Sequence, residues 1–510
     1  MTEAQSLAPL ATLPGDLPVL AVLQTLPLAA GLLLLRIKGD RSALALALTA
    51  ALAELALGAL LYLRLDHTNP AFQFSERWSP LPPFNYHAGV DGISVLFILL
   101  TGLVCLLLVV YVPSRGLRPT PLVLAVLLAV ESTLMSLFTT LDLLWFTLVS
   151  TLELGLTGYL LGRWATSPAG DPALARFYQF MVTGLALLLM GTLMLGWNHA
   201  DQRGGVWTFD LTELAAVTVN PALSSVVFYL LFYGLAIRTP LFPFHGWLPQ
   251  VAEHGNVALA PALLLGLKVG IYGLLRFVFP LMPEAVLEWN AYVVAFATAG
   301  IFYAAILALL QVNLRRLLAF AVVSHTSILV IGLFSLGTSA FQGSLILSVD
   351  FGLAITGLLL MTGFLYRRTR TTLLPRLGGL FDRIPLIGIA FFVAGLSIVG
   401  MPGTPGFDAA HLMLEAAIER FGGLVTVAAA LGNVAAAAFL LWAFQRAFLA
   451  PPRERTPRPI APASTAERLI AGTLILVLLG AGFYSEPWLE LVDAPLEALS
   501  GRFGLGQAHP

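Results

Sequence analysis

Apolar positions along this chain gather in long runs instead of alternating with polar ones. Runs of about 20 apolar residues, the length that crosses roughly 30 Å of hydrocarbon, recur near 17–36, 43–63, 92–113, 119–138, 142–162, 176–197, 222–245, 256–278, 289–311, 316–337, 343–366, 384–410, 412–448 and 468–488. A bilayer core offers the backbone no hydrogen-bond partner, so such runs predict helices. The expected fold class is therefore all-α: a polytopic membrane protein of about 14 transmembrane helices, with 1–510 as a single membrane domain. The tract 412–448 is long enough to hold part of a broken helix before it.

Two of the runs carry helix breakers. LAIRTPLFPFHGWLP places Arg238, Pro240, Pro243 and His245 in the seventh, and GMPGTPGFD places Pro402 and Pro405 among Gly400, Gly403 and Gly406 in the twelfth. Proline removes a donor and clashes with the preceding turn, and glycine loosens what remains, so helices 7 and 12 are predicted to break there. The freed carbonyls need water or an ion, which suits a cavity and not a lipid-facing surface. The same Pro-x-x-Pro spacing in both predicts two five-helix repeats, 119–278 (helices 4–8) and 289–450 (helices 9–13), followed by a last helix at 468–488. An odd number of helices per repeat inverts the second copy in the membrane.

Composition agrees with lipid as the solvent: 58% of the 510 residues are hydrophobic and 11% charged, where a soluble domain has about a quarter charged. The net charge of −1 gives no pull toward nucleic acid, and no glycine-rich phosphate loop follows a strand. Cys105 is the one cysteine, which leaves no disulfide framework or thiolate cluster within the chain and makes it a small core residue. No cofactor is expected to be bound. MTEAQSLAPLATLPGD lacks the basic start of a secretory signal, so the first run is expected to be a retained span.

Basic residues sort by side. Loops after odd-numbered helices hold 19, including Arg315, Arg316, Arg367, Arg368, Arg453, Arg455 and Arg458; the other side holds six, Arg64, Arg77, Arg203, Arg276, Arg420 and Arg502. The positive-inside rule then puts both termini on the non-cytoplasmic side. Two cations remain inside apolar runs, Arg238 and Lys268. The chain uses 25 Arg against two Lys, and lysine can shed its proton when desolvated whereas guanidinium does not. Lys268 is therefore the candidate for titration. The other ionisable side chains in spans are Glu131, Glu153, His325 and Asp350, with Asp408, His411 and Glu415 beyond the twelfth-helix break. Charged groups at mid-membrane cost about 2.5–3.5 kcal/mol each on insertion scales, so keeping several implies a task or mutual pairing. Each also has a structural reading: snorkelling for Lys268, carbonyl anchoring for Arg238, pairing for Glu153 and Glu131, core packing for His325, helix capping for Asp408 and His411.

RTPLFPFHGWLP, LGLKVGIYGLLRF, LLQVNLRRLLAFAVVSHTSILVIGL and GMPGTPGF together resemble the antiporter-like subunits of respiratory and photosynthetic complex I, the M or D type, related to Mrp cation/proton antiporters. The likeness runs from about Asp142 to Phe448. It implies a membrane-arm subunit without redox centres that passes protons along a central hydrophilic axis, with other membrane-arm subunits, further antiporter-like ones among them, and lipid as partners. Lys268 and His325 match the motif directly. Arg238 stands where the family usually has lysine, Thr151 where its helix-5 glutamate falls, with Glu153 two residues on, and Ala410 where its helix-12 acid falls, between Asp408 and His411. Phe351-Gly352 replaces a His-Gly pair and follows Asp350. HGWLPQVAEHGNVALAP and PGTPGFDAAHL resemble the variants in cyanobacterial CO2-uptake forms of the type I NAD(P)H dehydrogenase. These imply a thylakoid location, ferredoxin and plastoquinone as electron donor and acceptor, and a CO2-hydrating companion protein.

On this basis Glu153 and Arg238 are expected to pair across neighbouring helices and tune the proton affinity of Lys268. Lys268 would pass its proton by water toward His325, with exit through Asp350, Asp408 or His411, and Glu131 as a further acid. Two other readings stand beside it: an Mrp-type sodium/proton antiporter subunit, and a scaffold whose proton path has decayed.

Overall fold

Several long apolar runs begin one residue after an acid or amide that caps the helix. Asp91 accepts a hydrogen bond from the Ser94 N–H, Asp142 from Trp145, Asn220 from Ala222 and Asn313 from Arg315. Ser464 and Glu467 form a reciprocal capping box. Such caps contribute about 1 kcal/mol each and fix where the helix starts. In this computed structural model, which describes residues 11–15, 17–81, 84–167, 169–451 and 460–504, 12 helices are long and apolar enough to cross a membrane. Two shorter ones, Val19–Leu34 and Pro385–Val399, complete the 14 crossing segments expected from the runs. Arg453, Arg455 and Arg458 lie outside the described residues.

Burial sorts the spans into an outer set and an inner set. The eighth, Leu259–Leu281, the tenth, Leu314–Leu333, and the eleventh, Thr338–Thr369, are each 94% buried over their apolar window, against 28% for the last, Thr465–Phe483. The inner three carry Lys268, His325 and Asp350.

Three spans are interrupted, one more than the prolines foretold. The seventh runs as helix over Pro221–Arg238, leaves helical geometry, and resumes over Leu248–His254; Trp247 Nε1 donates to the freed Ile237 carbonyl at 3.1 Å. The twelfth stops at Val399, turns left-handed at Gly400 (φ 75°), and resumes over Pro405–Phe421. That second half extends past the expected boundary at 410, and the thirteenth span starts only at Gly423. The eighth span, without a proline at the break, stops at Gly266 and restarts at Val269. Between them Lys268 itself is left-handed, with φ 43° and ψ 39°. A side chain held there costs on the order of 1–3 kcal/mol.

One end of the bundle carries structure that the all-α expectation lacked. Strands Phe72–Leu81 and Phe84–Val90 pair antiparallel, and Thr12–Pro14 adds in parallel. His87 ties this hairpin to the loop before the seventh span: Nδ1 meets Asp210 Oδ2 at 2.5 Å and Nε2 meets Ser75 Oγ at 3.0 Å. The amphipathic helix Glu486–Gly501 closes the same end, where the Arg502 guanidinium donates to the Pro280 carbonyl at 3.1 Å. Arg276 corrects the loop assignment. It lies inside the eighth span, 5% exposed, and donates to both carboxylate oxygens of Asp91 at 2.7 and 2.6 Å. At the opposite end, Arg315 donates to the Gly255 and Asn256 carbonyls, Arg316 pairs with Glu253, and Arg368 with Glu467. The two ends thus separate as the alternation of basic loops required.

Candidate functional site

Two close helix crossings bring the interrupted spans together. A Cβ on Gly270 would lie 1.8 Å from Thr239 Oγ1, and one on Gly352 would lie 2.0 Å from the Gly266 carbonyl oxygen. Only glycine permits either approach. The first sets the break in the seventh span against that in the eighth; the second sets the break in the eighth against the eleventh span.

Lys268 projects from this junction. Its Nζ donates to Thr326 Oγ1 at 2.5 Å and lies 4.3 Å from the centre of the Phe351 ring. It is 3% exposed and forms no salt bridge among the described residues. Burying an ammonium without a carboxylate is costly, and a hydroxyl and an aromatic face offset only part of that. His325, on the same helix as Thr326, stacks on Phe351 at 4.4 Å with the rings 10° apart, and neither of its nitrogens has a protein hydrogen-bond partner. Phe351 therefore joins the lysine and the histidine. Buried polar atoms of this kind ordinarily bind water.

The acid-base pair foreseen between neighbouring helices is present. Arg238 donates to Glu153 Oε2 at 2.6 Å, and Thr157 Oγ1 donates to Oε1 at 2.9 Å. Thr151 points away from this pair and is exposed, whereas Glu153 is buried. The threonine therefore removes no carboxylate from the inner face of the fifth span.

The remaining candidates divide. Asp350 is buried and accepts from Ser397 Oγ at 2.6 Å through Oδ1, while Oδ2 has no partner. Asp408 and His411 are not brought to this line: Asp408 accepts from Ser485 Oγ at 2.6 Å, and His411 and Glu415 are exposed on the outer side of Pro405–Phe421. Glu131 faces the second and third spans, where it interacts electrostatically with Glu54, and both carboxyls lack hydrogen-bond partners. His245 stacks on Phe242 and meets the Tyr303 ring edge-on at the seventh-span break. Thr326 and the Asp91–Arg276 pair went unrecognised in the sequence, and Phe351 stood out there only as a departure from a His-Gly pair; for Asp91 and Arg276, an acid one residue before a span was the available signal. Among the described residues, no group of three or more His, Cys, Asp or Glu side chains could hold a metal ion.

Two acids meet where the fifth span begins. Desolvation pushes Asp142 up to about 7, with Asp210 nearby adding to the effect. Burial also acts to raise Asp210, but hydrogen bonds from His87 and Thr212 and the His87 charge hold it below the ordinary carboxylate range.

The family described as NADH:quinone oxidoreductase/Mrp antiporter, transmembrane, matches residues 124–436. NADH-ubiquinone oxidoreductase chain 4 of Marchantia polymorpha is 28% identical over 93% of this chain and 95% of its own. The chain 4 of Arabidopsis thaliana is 31% identical over 82% and 84%. A chain of respiratory complex I from Thermus thermophilus superposes with a TM-score of 0.83 at 27% identity, covering 95% of this chain and all of that one. A chain of the Mrp complex of a Dietzia species shares the fold, with a TM-score of 0.84 at 20% identity, over 96% and 98%. The chain belongs to the NADH:quinone oxidoreductase/Mrp antiporter transmembrane family, as an antiporter-like subunit of the complex I subunit M or chain 4 kind.

Proposed function

We propose that this chain moves protons across the membrane as an antiporter-like membrane-arm subunit, with Lys268 as the central proton carrier. Lys268 supports this reading most strongly: it is a buried amine at a strained helix break, with a hydroxyl and an aromatic ring for neighbours and no carboxylate paired to it. Such an amine is poised between charged and neutral forms. The Glu153–Arg238 pair acts on it from the adjoining break. While Glu153 neutralises Arg238, the ammonium of Lys268 is tolerated; when the pair loosens, the uncompensated guanidinium repels the ammonium and drives its proton off. Arg238 cannot itself relay a proton, because guanidinium stays charged. The released proton passes through water toward His325, whose two ring nitrogens are free to accept and donate.

The same reading takes 119–278 and 289–450 as inverted repeats, which the interruptions of the seventh and twelfth spans support, and takes the hairpin end as non-cytoplasmic. A finer reading, the CO2-uptake form in thylakoids with ferredoxin and plastoquinone as donor and acceptor, rests on the two motifs HGWLPQVAEHGNVALAP and PGTPGFDAAHL. The relatives from Marchantia polymorpha and Arabidopsis thaliana carry the name of NADH-ubiquinone oxidoreductase. The partner list of the purified complex tests the finer form: a CO2-hydrating companion supports it, and its absence with an NADH-binding arm present rejects it.

The test of the carrier role is proton uptake by proteoliposomes holding the whole complex. Lys268→Ala should leave assembly intact and remove the uptake that depends on this subunit. Uptake equal to wild type would reject the relay.

A further inference from the structure

Below His325 the buried line meets the gap in the twelfth span, and there the resumed half-helix offers no ionisable side chain. Gly406, Ala409 and Ala410 form its buried face. Its Asp408, His411 and Glu415 sit on the other sides, with Asp408 engaged by Ser485. One carboxylate nevertheless enters the gap, from the eleventh span. Asp350 Oδ1 holds Ser397 at the end of the first half-helix, and Oδ2 lies where a Cβ on Gly406, in the first turn of the second half-helix, would be 2.8 Å away. The same Cβ would be 2.4 Å from the Ser397 carbonyl oxygen, so both halves of the span and the acid converge at Gly406. Ala410 is one turn further on, and its Cβ is 3.5 Å from the Cβ position of Gly400 across the gap.

One side of Asp350 is apolar. A cavity of about 210 Å³ beside it is lined mainly by apolar side chains of the third, eleventh and fourteenth spans, including Leu96, Leu100, Leu353 and Val477, reaches Pro405 at the start of the resumed half-helix, and has Asp350 as its one charged residue among the described residues. Apolar cavities hold little water, so that side offers Oδ2 no polar partner, whereas the gap side carries the Ser397 hydroxyl and carbonyl. Lys268 and His325 are the charged or titratable groups on the eighth and tenth spans nearest along this line, and both touch Phe351, the residue next to Asp350.

We infer that Asp350 is the proton acceptor of the twelfth-span gap and that Asp408 and His411 take no part in the transfer. A proton arriving by water from the His325 side converts the Asp350 carboxylate to the carboxylic acid, and its departure into the gap restores the carboxylate. Nothing else is formed or broken. The assignment rests on the proton-carrier reading of Lys268, and the test separates the two.

The whole complex carrying each variant is reconstituted, and proton uptake is compared at matched quinone-reduction rates. Asp350→Asn should lower uptake as far as Lys268→Ala does, while Asp408→Asn and His411→Ala should stay within twofold of wild type. Asp350→Ala combined with Ala410→Glu, which returns a carboxylate to the same gap from the other helix, should recover at least half of wild-type uptake, and a merely structural role for Asp350 would not be rescued this way. If Asp350→Asn fails to assemble, Asp350→Glu and the double variant provide the measurement, and loss of uptake in both overturns the assignment. Uptake by Asp350→Asn equal to wild type, or a fall in Asp408→Asn as deep as in Asp350→Asn, also overturns it. If Lys268→Ala alone pumps normally, the carrier reading fails first.

Discussion

Arg238 and Glu153, 85 residues apart in sequence, meet at 2.6 Å between the seventh and fifth spans, with both side chains at most 10% exposed. A buried pair is costly to split because the survivor keeps its charge without a partner, typically about 3–5 kcal/mol. Glu153→Gln should therefore lower the thermal stability of the complex and also lower its proton uptake, since Arg238 then repels the ammonium of Lys268 permanently. Arg238→Lys should retain more of both. A Glu153→Gln complex with wild-type melting and uptake would remove the pair from the mechanism.

Lys268 gives a sharper chemical test through arginine. Lys268→Arg keeps the positive charge and approximate length, but the guanidinium does not release its proton near neutral pH. Uptake should fall as far as in Lys268→Ala, and retained uptake would mean that the charge at this position matters and its titration does not.

The Asp91–Arg276 pair serves as the contrasting case. It is bidentate, also engages Ser94 and Tyr272, and joins the start of the third span to the eighth. Its side-chain hydrogen bonds do not involve Lys268, Thr326 or Phe351, although the Tyr272 N–H donates to the Lys268 carbonyl at 3.1 Å. Arg276→Ala should cost about 3–5 kcal/mol of stability and reduce the amount of assembled complex, while the protons moved per quinone reduced by the surviving complex stay unchanged. A changed ratio would place Arg276 in the path.

Asp142 predicts a pH dependence of definite sign. Its carboxyl is pushed up to about 7 by burial, against about 3.9 for an unfolded chain. The folded protein then binds this proton more tightly than the unfolded one, so between roughly pH 4 and pH 7 its contribution to stability falls as pH rises, and the full penalty is present above pH 7. Asp142→Asn keeps an oxygen to accept the Trp145 N–H and removes the titration. Measured by thermal melting of the complex, the variant should gain on wild type from pH 5 to about pH 7 and hold a constant advantage above that. A constant difference from pH 5 to about pH 7 would contradict the assignment.

Much of this architecture could be read from the residues because the bilayer imposes one length on every span and forbids unpaired backbone in lipid. Helix number follows from those two constraints, the breaks in the seventh and twelfth spans from proline chemistry, and the separation of basic loops from the positive-inside rule. Lys268 was legible as the odd lysine in an arginine-using chain, and Glu153 with Arg238 as opposite charges at membrane depth. The break at Lys268 was not legible, because no proline marks it and its flanking glycines, Gly266 and Gly270, serve close packing against other spans. The hairpin was hidden for a different reason: FQFSERWSPL and FNYHAGV are short against their long apolar neighbours. Which side of a helix a residue occupies decided the rest. Asp408 and His411 share a face, as their spacing required, but it is the outer one, and only the packing of the twelfth span on the eleventh determines that.

The most direct measurement is the water structure of the assembled complex in a high-resolution electron cryomicroscopy map. Ordered waters should bridge Lys268 to the free nitrogens of His325 and continue to Asp350 Oδ2; the histidine nitrogens and Oδ2 are buried without protein partners, and the lysine has only Thr326. A dry, close-packed gap between Lys268, His325 and Asp350 would contradict proton transfer through this chain and leave it a scaffold.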